Sequence, residues 1–561
     1  MILWAAVALA ILLALIAASL LLLANRAEPF LRARIVAALE DRFHARVELD
    51  SFRISLAGGL EAEGSGLRIW PPAQVEGISV PGPVQTASAK PAAGKTGSEQ
   101  EGAPQGRIFS PPQPLIRLAE FHFRAPLRYQ PGKPFHIALV QLKGLEIHLP
   151  PKSHFSHAAA PSTVKSSLPF TFQVDAIECA SASLILETDK PGKQPLDFAI
   201  ARLRLTNIAA SGPLAFAADL TNPRPNGTLH TAGSFGPWRT ADPGESPIAG
   251  SYRLEHANLA DFKEIAGFLN STGSYQGALR NVEVQGETDT PDFRLTRFAN
   301  ALPLHTRFQA AVDATNGDTR LEAVDATLGR SHFTAQGTIL RVPARDGSAA
   351  SIGHDIALAV QVDRARIEDF LLMAGHTPDP MLTGPVALKA TLHIPPGAAH
   401  VEQRIVLDGR FTLNQAHFTN PKIQSRIEEL SLRGQGHPEQ IKSTAPDAIA
   451  STMQGDFHMA GGVFNLPALD YEVPGAKIQL KGSYTVEGGA LNFAGSARLQ
   501  APVSQMVGGK WGALLKPLNG LFRKNGAGAE VPIHISGTRE NPEFGVEFAG
   551  KEFDFHTKAN K

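Results

Sequence analysis

Cysteine is almost absent from this sequence of 561 residues, in which Cys179 is the only one. No disulfide can therefore form within the chain. This fits either a cytosolic protein or an exported one that is large enough to fold without disulfide bonds. A net charge is also lacking, since 53 basic side chains balance 53 acidic ones. Binding to a phosphate backbone needs clustered positive charge, so nucleic acid is not expected as a partner.

Motifs of catalysis and metal binding are missing as well. The sequence has no HExxH zinc motif, no Cys/His cluster and no GxSxG nucleophile elbow. Residues 89–96 end in Gly-Lys-Thr, but low-complexity sequence flanks them where a phosphate loop needs a strand before and a helix after. We therefore predict a protein that is not an enzyme and has no metal or other cofactor. A hydrolase with an unrecognised site is the alternative.

The longest hydrophobic run is at the start of the chain. Met1–Ala24 contains no ionisable side chain and would be about 36 Å long as a helix at ~1.5 Å per residue, which is enough to cross a bilayer. We predict an uncleaved transmembrane anchor over residues 1–25. A cleaved signal peptide is the alternative, although the usual positive n-region is missing.

Residues 26–70 combine a helix with the first strands. Glu28–Phe43 has a helical stripe of apolar side chains, and the sequence from Val47 alternates between apolar and polar residues, which predicts strand, turn and strand. Residues 71–114 are rich in Pro, Ala, Gly and Ser and have few large apolar side chains. This composition predicts a disordered insertion.

The body of the chain, residues 115–502, is predicted to be mainly β. The 51 Gly and 42 Pro of the whole chain favour short strands and turns. Within the body, the alternation of apolar and polar residues with a period of two predicts an antiparallel sheet with one apolar face. Short helices are predicted from Asn258, Arg366 and Trp511, the last within a C-terminal region of residues 503–561. The residues predicted to form the apolar face are Ile478, Leu480, Tyr484, Val486, Leu491, Phe493, Val531, Ile533, Ile535, Leu203 and Leu205.

Three internal echoes indicate a reused architectural unit. GETDTPDF from Gly286 resembles GTRENPEF from Gly537, and each is interpreted as the end of a strand, a turn stiffened by proline and the start of the next strand. The segments 261–267 and 369–375 both begin with Asp-Phe. Segment 329–337 resembles 475–482, and each of these two is predicted to be a strand that closes on a glycine, where the missing side chain allows a bulge or a sharp bend.

The chain resembles the AsmA-like proteins of the bacterial envelope. The resemblance covers both ends and much of the middle: the anchor and helix followed by VELDSFRISLAGGLEAEGSGLRI, then GSYQGALRNVEVQGETDTPDFRL, then KPLNGLFRKNGAGAEVPIHISGTRENPEFGVEF. It implies a single-pass inner-membrane protein whose bulk is periplasmic, related to chorein-type bridge-like lipid transporters. In such proteins an elongated, curled sheet forms an apolar groove.

The expected function is passive transfer of phospholipid along the groove toward the outer membrane, or maintenance of envelope lipid homeostasis. The expected partners are phospholipid acyl chains, the inner membrane and an envelope or outer-membrane protein. An open apolar face would hold acyl chains without any catalytic residue, because each buried CH₂ contributes about 0.8 kcal/mol. The alternative is a scaffold or regulator of outer-membrane protein or lipopolysaccharide assembly, for which a closed, side-chain-filled sandwich is expected.

Overall fold

The protein is described from a computed structural model. The residues described are 32–33, 36–37, 40, 45–55, 60–70, 114–125, 135–149, 172–187, 195–209, 212–237, 239, 242–262, 264–298, 300–343, 351–373, 375, 379–397, 399–442, 449–485, 488–507, 514, 516–523, 528–538, 542–548 and 551–554. The predicted anchor over residues 1–25 and the insertion, apart from residue 114, lie outside them.

The chain divides into two compact units. Unit 1 holds the described residues up to 209 and unit 2 those from 212 onward, so the boundary falls inside the 115–502 body. Both units are mainly β, as predicted.

The described part of unit 1 contains seven strands, numbered in chain order, and helical residues at 32–33, 36–37 and 40. The strands are β1 (Val47–Glu48), β2 (Ser51–Ser55), β3 (Leu60–Ile69), β4 (Ile116–Ala125), β5 (Phe135–Leu149), β6 (Phe172–Leu186) and β7 (Leu196–Ala209). β1 and β2 pair with β3, and β3–β4, β4–β5 and β6–β7 are antiparallel. β2 and β3 confirm the two predicted strands, and the predicted turn between them lies outside the described residues.

One pairing in unit 1 corrects the prediction of a purely antiparallel sheet. β5 and β6 are parallel, with Phe135 opposite Phe172 and Leu149 opposite Leu186. A parallel pair needs a crossover of a dozen or more residues, and residues 150–171 connect these two strands. The sheet of unit 1 is therefore mixed.

The apolar face of unit 1 is closed to solvent. Phe123, Ile137, Ile177 and Leu205 are each fully buried. Alternating residues of the same strands, such as Lys143, are exposed. The period of two in the sequence thus separates a packed face from a solvated one.

Unit 2 is a long antiparallel meander. Its strands are β8 (Leu214–Pro223), β9 (Asn226–Phe235), β10 (Pro247–Asn258), β11 (Ile265–Ala266), β12 (Phe268–Ala278), β13 (Asn281–Leu295), β14 (Leu302–Val312), β15 (Thr319–Leu328), β16 (Ser331–Pro343), β17 (Ser351–Arg366), β18 (Leu382–Thr383), β19 (Pro385–Ile394), β20 (Val406–Phe418), β21 (Ser451–Ala460), β22 (Val463–Val473), β23 (Ala476–Thr485), β24 (Leu491–Leu499), β25 (Ala529–Gly537), β26 (Pro542–Phe548) and β27 (Lys551–Asp554). From β9 to β26, each long strand pairs with the long strand before it and the one after it.

Two very short strands interrupt this order in the same way. β11 pairs with β13 while β10 pairs with β12, and β18 pairs with β20 while β17 pairs with β19. A glycine with positive φ follows each short strand, Gly267 at 131° and Gly384 at 143°. The lack of a Cβ allows the chain to turn from the short strand into the next long one.

The helices of unit 2 are few and short. They are α1 (Ile367–Met373), α2 (Val401–Arg404), α3 (Pro421–Gln435), α4 (Val503–Val507) and α5 (Asn519–Phe522). α1 confirms the helix predicted from Arg366, and α5 with the 3₁₀ turn Lys516–Leu518 lies in the segment predicted from Trp511. The helix predicted from Asn258 is wrong: a single turn at Leu259–Asp261 leads into β11 and β12.

The longest of the described helices, α3, was not predicted. Pro421 occupies its first position, which suits a residue without an N–H. Ile423, Ile427 and Leu430 follow at spacings of four and three. The helix ends at Gly436, whose φ is 84°, and the amide of the next residue, His437, bonds back to the carbonyl of Leu432.

The two similar segments that begin at Gly286 and Gly537 have different structures. Gly537 ends β25, as predicted, but Pro542, which was predicted to stiffen the turn, is the first residue of β26. The other copy, 286–293, lies wholly within β13, so the predicted turn there is wrong. Pro291 sits instead in a β-bulge, where the register with β14 shifts and a missing N–H is tolerated.

The third echo is confirmed as a bulge. Gly337 lies opposite Leu321 at a register shift between β15 and β16, and Gly482 lies opposite Leu466 at a shift between β22 and β23. Both strands continue beyond the glycine, so the prediction that they close there is wrong.

Candidate functional site

An apolar face on β23–β25 gathers most of the predicted residues. Residues directly opposite each other in an antiparallel pair share one face. Ile478 lies opposite Ala497, which lies opposite Val531. The rows that follow on the same face are Leu480, Gly495 and Ile533; Gly482, Phe493 and Ile535; and Tyr484 and Leu491. Phe493 is 9 % exposed, and the other predicted residues of these rows are half-buried.

The remaining predicted residues are not on this face. Val486 lies outside the described residues. Leu203 and Leu205 belong to β7 of unit 1, where their side chains are 4 % and 0 % exposed. They lie in a packed face, unlike the half-buried residues of β23–β25.

The apolar face continues through the register of unit 2 well beyond the predicted residues. For example, Leu358 lies opposite Leu392, which lies opposite Leu407, and Leu407 lies opposite Met459 in the next pair. Further residues on this face that were not predicted are Val324, Phe333, Val360, Leu388, Phe411, Met453, Phe457, Phe464 and Leu469. Their strands alternate as β23 does, so the signal was present.

Aromatic rings on this face lie over glycines of the neighbouring strand. A Cβ added to Gly409 would be 2.4 Å from Cζ of Phe457, and one added to Gly482 would be 2.6 Å from Cδ1 of Phe493. The Phe457 ring also stacks on Phe464, with ring centroids 5.2 Å apart. The glycines therefore make room for large side chains that lie along the sheet.

The opposite face of unit 2 is polar and carries cross-strand ion pairs. Arg410 and Asp456 lie opposite each other and are 2.6 Å apart, and Arg307 and Glu287 are 2.8 Å apart. The hydrogen bond from Arg410 lowers the pKa of Asp456. These pairs are exposed, so they contribute little to stability but keep this face in water.

The helices cover only one edge of the apolar face. In the meander, α1, α3 and α4 join strands at the same edge, whereas α2 lies at the other. Ile427 and Leu430 of α3 pack on a buried cluster that includes Tyr471 and Leu499. Phe370 of α1 packs on a second cluster around Val362. The apolar face is thus closed at one edge and half-buried across its middle.

The described part of the chain contains no group of three or more His, Cys, Asp or Glu that could hold a metal ion. Nor does any helix in that part combine the length and apolarity needed to span a membrane. Comparison of the chain with family models, curated proteins and solved structures gave no match.

Proposed function

We propose that the chain is a membrane-anchored lipid carrier of the bacterial envelope, in which the apolar face of unit 2 takes phospholipid acyl chains and passes them toward the outer membrane. The observation that carries this proposal is the half-buried apolar face that runs from strand to strand through unit 2. The uncharged segment Met1–Ala24 would hold the protein in the inner membrane.

Acyl chains fit this face for a simple energetic reason. Every CH₂ group moved from water onto it contributes about 0.8 kcal/mol, and no charged side chain occupies the rows from Ile478 to Tyr484. Successive rows offer similar contacts, so a chain can shift from one row to the next with little change in free energy. Headgroups would stay in water, and no nucleotide or catalytic residue is needed.

The resemblance to AsmA-like proteins is consistent with this role. Bulges such as the one between Val362 and Ala365 bend strands and increase their twist, as a curled sheet requires. The direction of transfer and the envelope partner follow from the resemblance alone and are part of the proposal.

A second candidate function, scaffolding of outer-membrane assembly, is favoured by unit 1. Its apolar face is packed to near-complete burial, as at Phe123 and Ile137. A buried core is what a structural or docking domain needs.

Photo-crosslinking tests the lipid proposal without disturbing the fold. A photoreactive amino acid would replace Leu480 on the apolar face or, as the matched control, its neighbour Lys481 on the polar face. After irradiation of cells that express the full chain, mass spectrometry should find phospholipid attached at position 480 and none at 481. Equal labelling, or no lipid at either position, would overturn the proposal.

A further inference from the structure

A band of hydroxyl groups crosses the apolar face between β9 and β14. We call it the hydroxyl band, and it comprises Thr231, Tyr252, Ser271, Tyr275, Thr288 and Thr306. These residues share the apolar face, since Thr231 lies opposite Tyr252 and Thr288 lies opposite both Ser271 and Thr306. The middle rows of β16–β20 are apolar by contrast, as at Ala335, Val360 and Leu388.

Glycines hold the two tyrosines of the band flat on the sheet. A Cβ on Gly286 would be 2.6 Å from the hydroxyl of Tyr252, and one on Gly250 would be 2.6 Å from the hydroxyl of Tyr275. A larger residue at either glycine would push the ring away. The two hydroxyls are therefore held along the face and do not project from it.

The hydrogen bonds within the band fix which atoms remain available. Ser271 Oγ donates to the carbonyl of Glu287 at 3.0 Å, so in the 3.1 Å contact between them Tyr252 is the donor. Thr231 Oγ1 likewise donates to a carbonyl, that of Ser251. Tyr275 therefore donates to Thr231 at 2.7 Å, and both tyrosine oxygens keep free acceptor lone pairs.

Threonines supply donors beside these acceptors. Thr288 and Thr306 are joined by a 2.6 Å hydrogen bond, which uses only one of their two protons. Thr290, two residues after Thr288 on β13, is 1 % exposed, and its Oγ1 has no hydrogen-bond partner. A buried hydroxyl without a partner is unfavourable, so a polar atom bound at this end of the band would stabilise it.

Charge is absent from the band. Glu287, Arg307 and Asp289 belong to the same strands, but their register positions put them on the polar face. Burial raises the pKa of Tyr252 and of Tyr275, so both phenols stay protonated. A ligand at this place must offer acceptors and donors without a formal charge.

We infer that the hydroxyl band binds the ester and hydroxyl groups of an uncharged acylglycerol, whose chains lie on the apolar rows to either side. Ester carbonyls accept from the threonines, and the free glycerol hydroxyl donates to a tyrosine oxygen. A phosphate there would lose its hydration without gaining a cation. The inference rests on the proposed function and names a lipid class for one stretch of the same face.

The test offers the delipidated full chain equal amounts of dioleoylglycerol and dioleoylphosphatidylglycerol in mixed detergent micelles. After detergent removal and gel filtration, mass spectrometry gives the total bound lipid and the ratio of the two. We expect the ratio to favour dioleoylglycerol and to fall about tenfold in Tyr252→Phe/Tyr275→Phe, which loses two acceptors but keeps both rings. Total bound lipid should stay the same.

Thr391→Val is the control, since Thr391 is exposed and lies opposite Asp408 on the polar face, outside the band and outside the apolar rows. It should keep the wild-type ratio. Thr288→Val/Thr306→Val should lower the ratio as the tyrosine variant does. Lipid bound without preference, or a ratio unchanged in both double variants, would overturn the inference alone. A chain that binds neither lipid would overturn the proposed function as well.

Discussion

Asp261 and Asp369 cap strand starts in the same way in two successive parts of unit 2. Asp261 Oδ2 accepts a hydrogen bond from the amide of Asn226 at 2.5 Å, and Asp369 Oδ2 accepts one from the amide of Arg330 at 3.0 Å. Asp369 also accepts a 2.6 Å bond from Ser331 Oγ. The two aspartates that align in sequence therefore share a structural role.

Replacing Asp369, the more buried of the two aspartates, should destabilise unit 2 more than replacing Asp261. Asp369 is 3 % exposed, and Asp369→Ala should lower the free energy of unfolding by about 1–3 kcal/mol because buried donors lose their acceptor. Asp261→Ala, at a more exposed site, should cost about 1 kcal/mol or less. Urea unfolding followed by circular dichroism measures both. Equal losses in the free energy of unfolding would contradict the larger contribution that we assign to Asp369.

The stability of unit 2 should depend on pH through Glu368. Burial would raise its pKa, but hydrogen bonds from the backbone, including the amide of Gly384, and from Arg366 outweigh burial and lower it. The carboxylate therefore stabilises the fold above the ordinary glutamate pKa, about 4.3, and this contribution is lost as the pH falls through the lower folded value.

Glu368→Gln should show that dependence directly. We expect a lower urea midpoint than that of wild type at pH 7. Between about pH 6 and about pH 3, where carboxyl groups titrate, this midpoint should fall less than that of wild type. Glu322→Gln, which replaces an exposed carboxylate on β15, is the control, and its urea midpoint should follow that of wild type at each pH. Parallel pH curves for Glu368→Gln and wild type would exclude the assigned contribution.

Glycine at the β16 bulge should be required for strand pairing. A Cβ at Gly337 would lie 2.0 Å from the carbonyl oxygen of Ala357, so Gly337→Ala should cost at least about 3 kcal/mol. Gly461→Ala is the control. Its φ is also positive, at 58°, but the space around it is open, so only the backbone cost of about 1–2 kcal/mol should appear. Similar midpoints for the two variants would argue against steric exclusion.

The ring of Phe457 should contribute strongly to the apolar face. Phe457 is 7 % exposed and covers Gly409, so Phe457→Ala should lower the free energy of unfolding by about 3–5 kcal/mol. Phe268, which is 50 % exposed, is the matched control, and its replacement by Ala should cost about 1 kcal/mol or less. Calorimetry of each variant gives the comparison. A mild effect at Phe457 would mean that the face repacks.

The alternation of apolar and polar residues allowed the strands, and the residues that share a face, to be predicted correctly. The side-chain period of a strand is two whatever the tertiary context, so Ile478, Leu480 and Tyr484 had to share a face once β23 formed. The exposure of that face could not be predicted in the same way. Leu203 alternates as Leu480 does, yet it is buried, because burial depends on what packs against the sheet.

Helices were predicted less well, because short apolar spacings are ambiguous. Leu259, Phe262 and Ile265 follow a helical spacing, but Ile265 pairs with Leu295 of β13, and pairing within the sheet overrides local preference. In α3, polar residues buried at the edge, such as Gln424 and Ser431, obscured the apolar stripe.

The parallel pair and the hydroxyl band show a second limit. The parallel pairing of β5 and β6 depends on the course of the chain between them, which no periodicity encodes. Tyr252 and Tyr275 were overlooked because each is an ordinary strand residue on its own. Only the register of β9–β14 places their hydroxyls on the same face as those of the serine and the threonines.

The meander of unit 2 also has a consequence for biosynthesis. Because each long strand pairs with its neighbours in the chain, spatial order and the order of synthesis coincide from β8 to β27. A strand can dock on the strand before it while the rest of the chain is still being made, and most of the connections that must close are short. Unit 2 can therefore assemble vectorially, with one growing edge that moves from its first strand to its last.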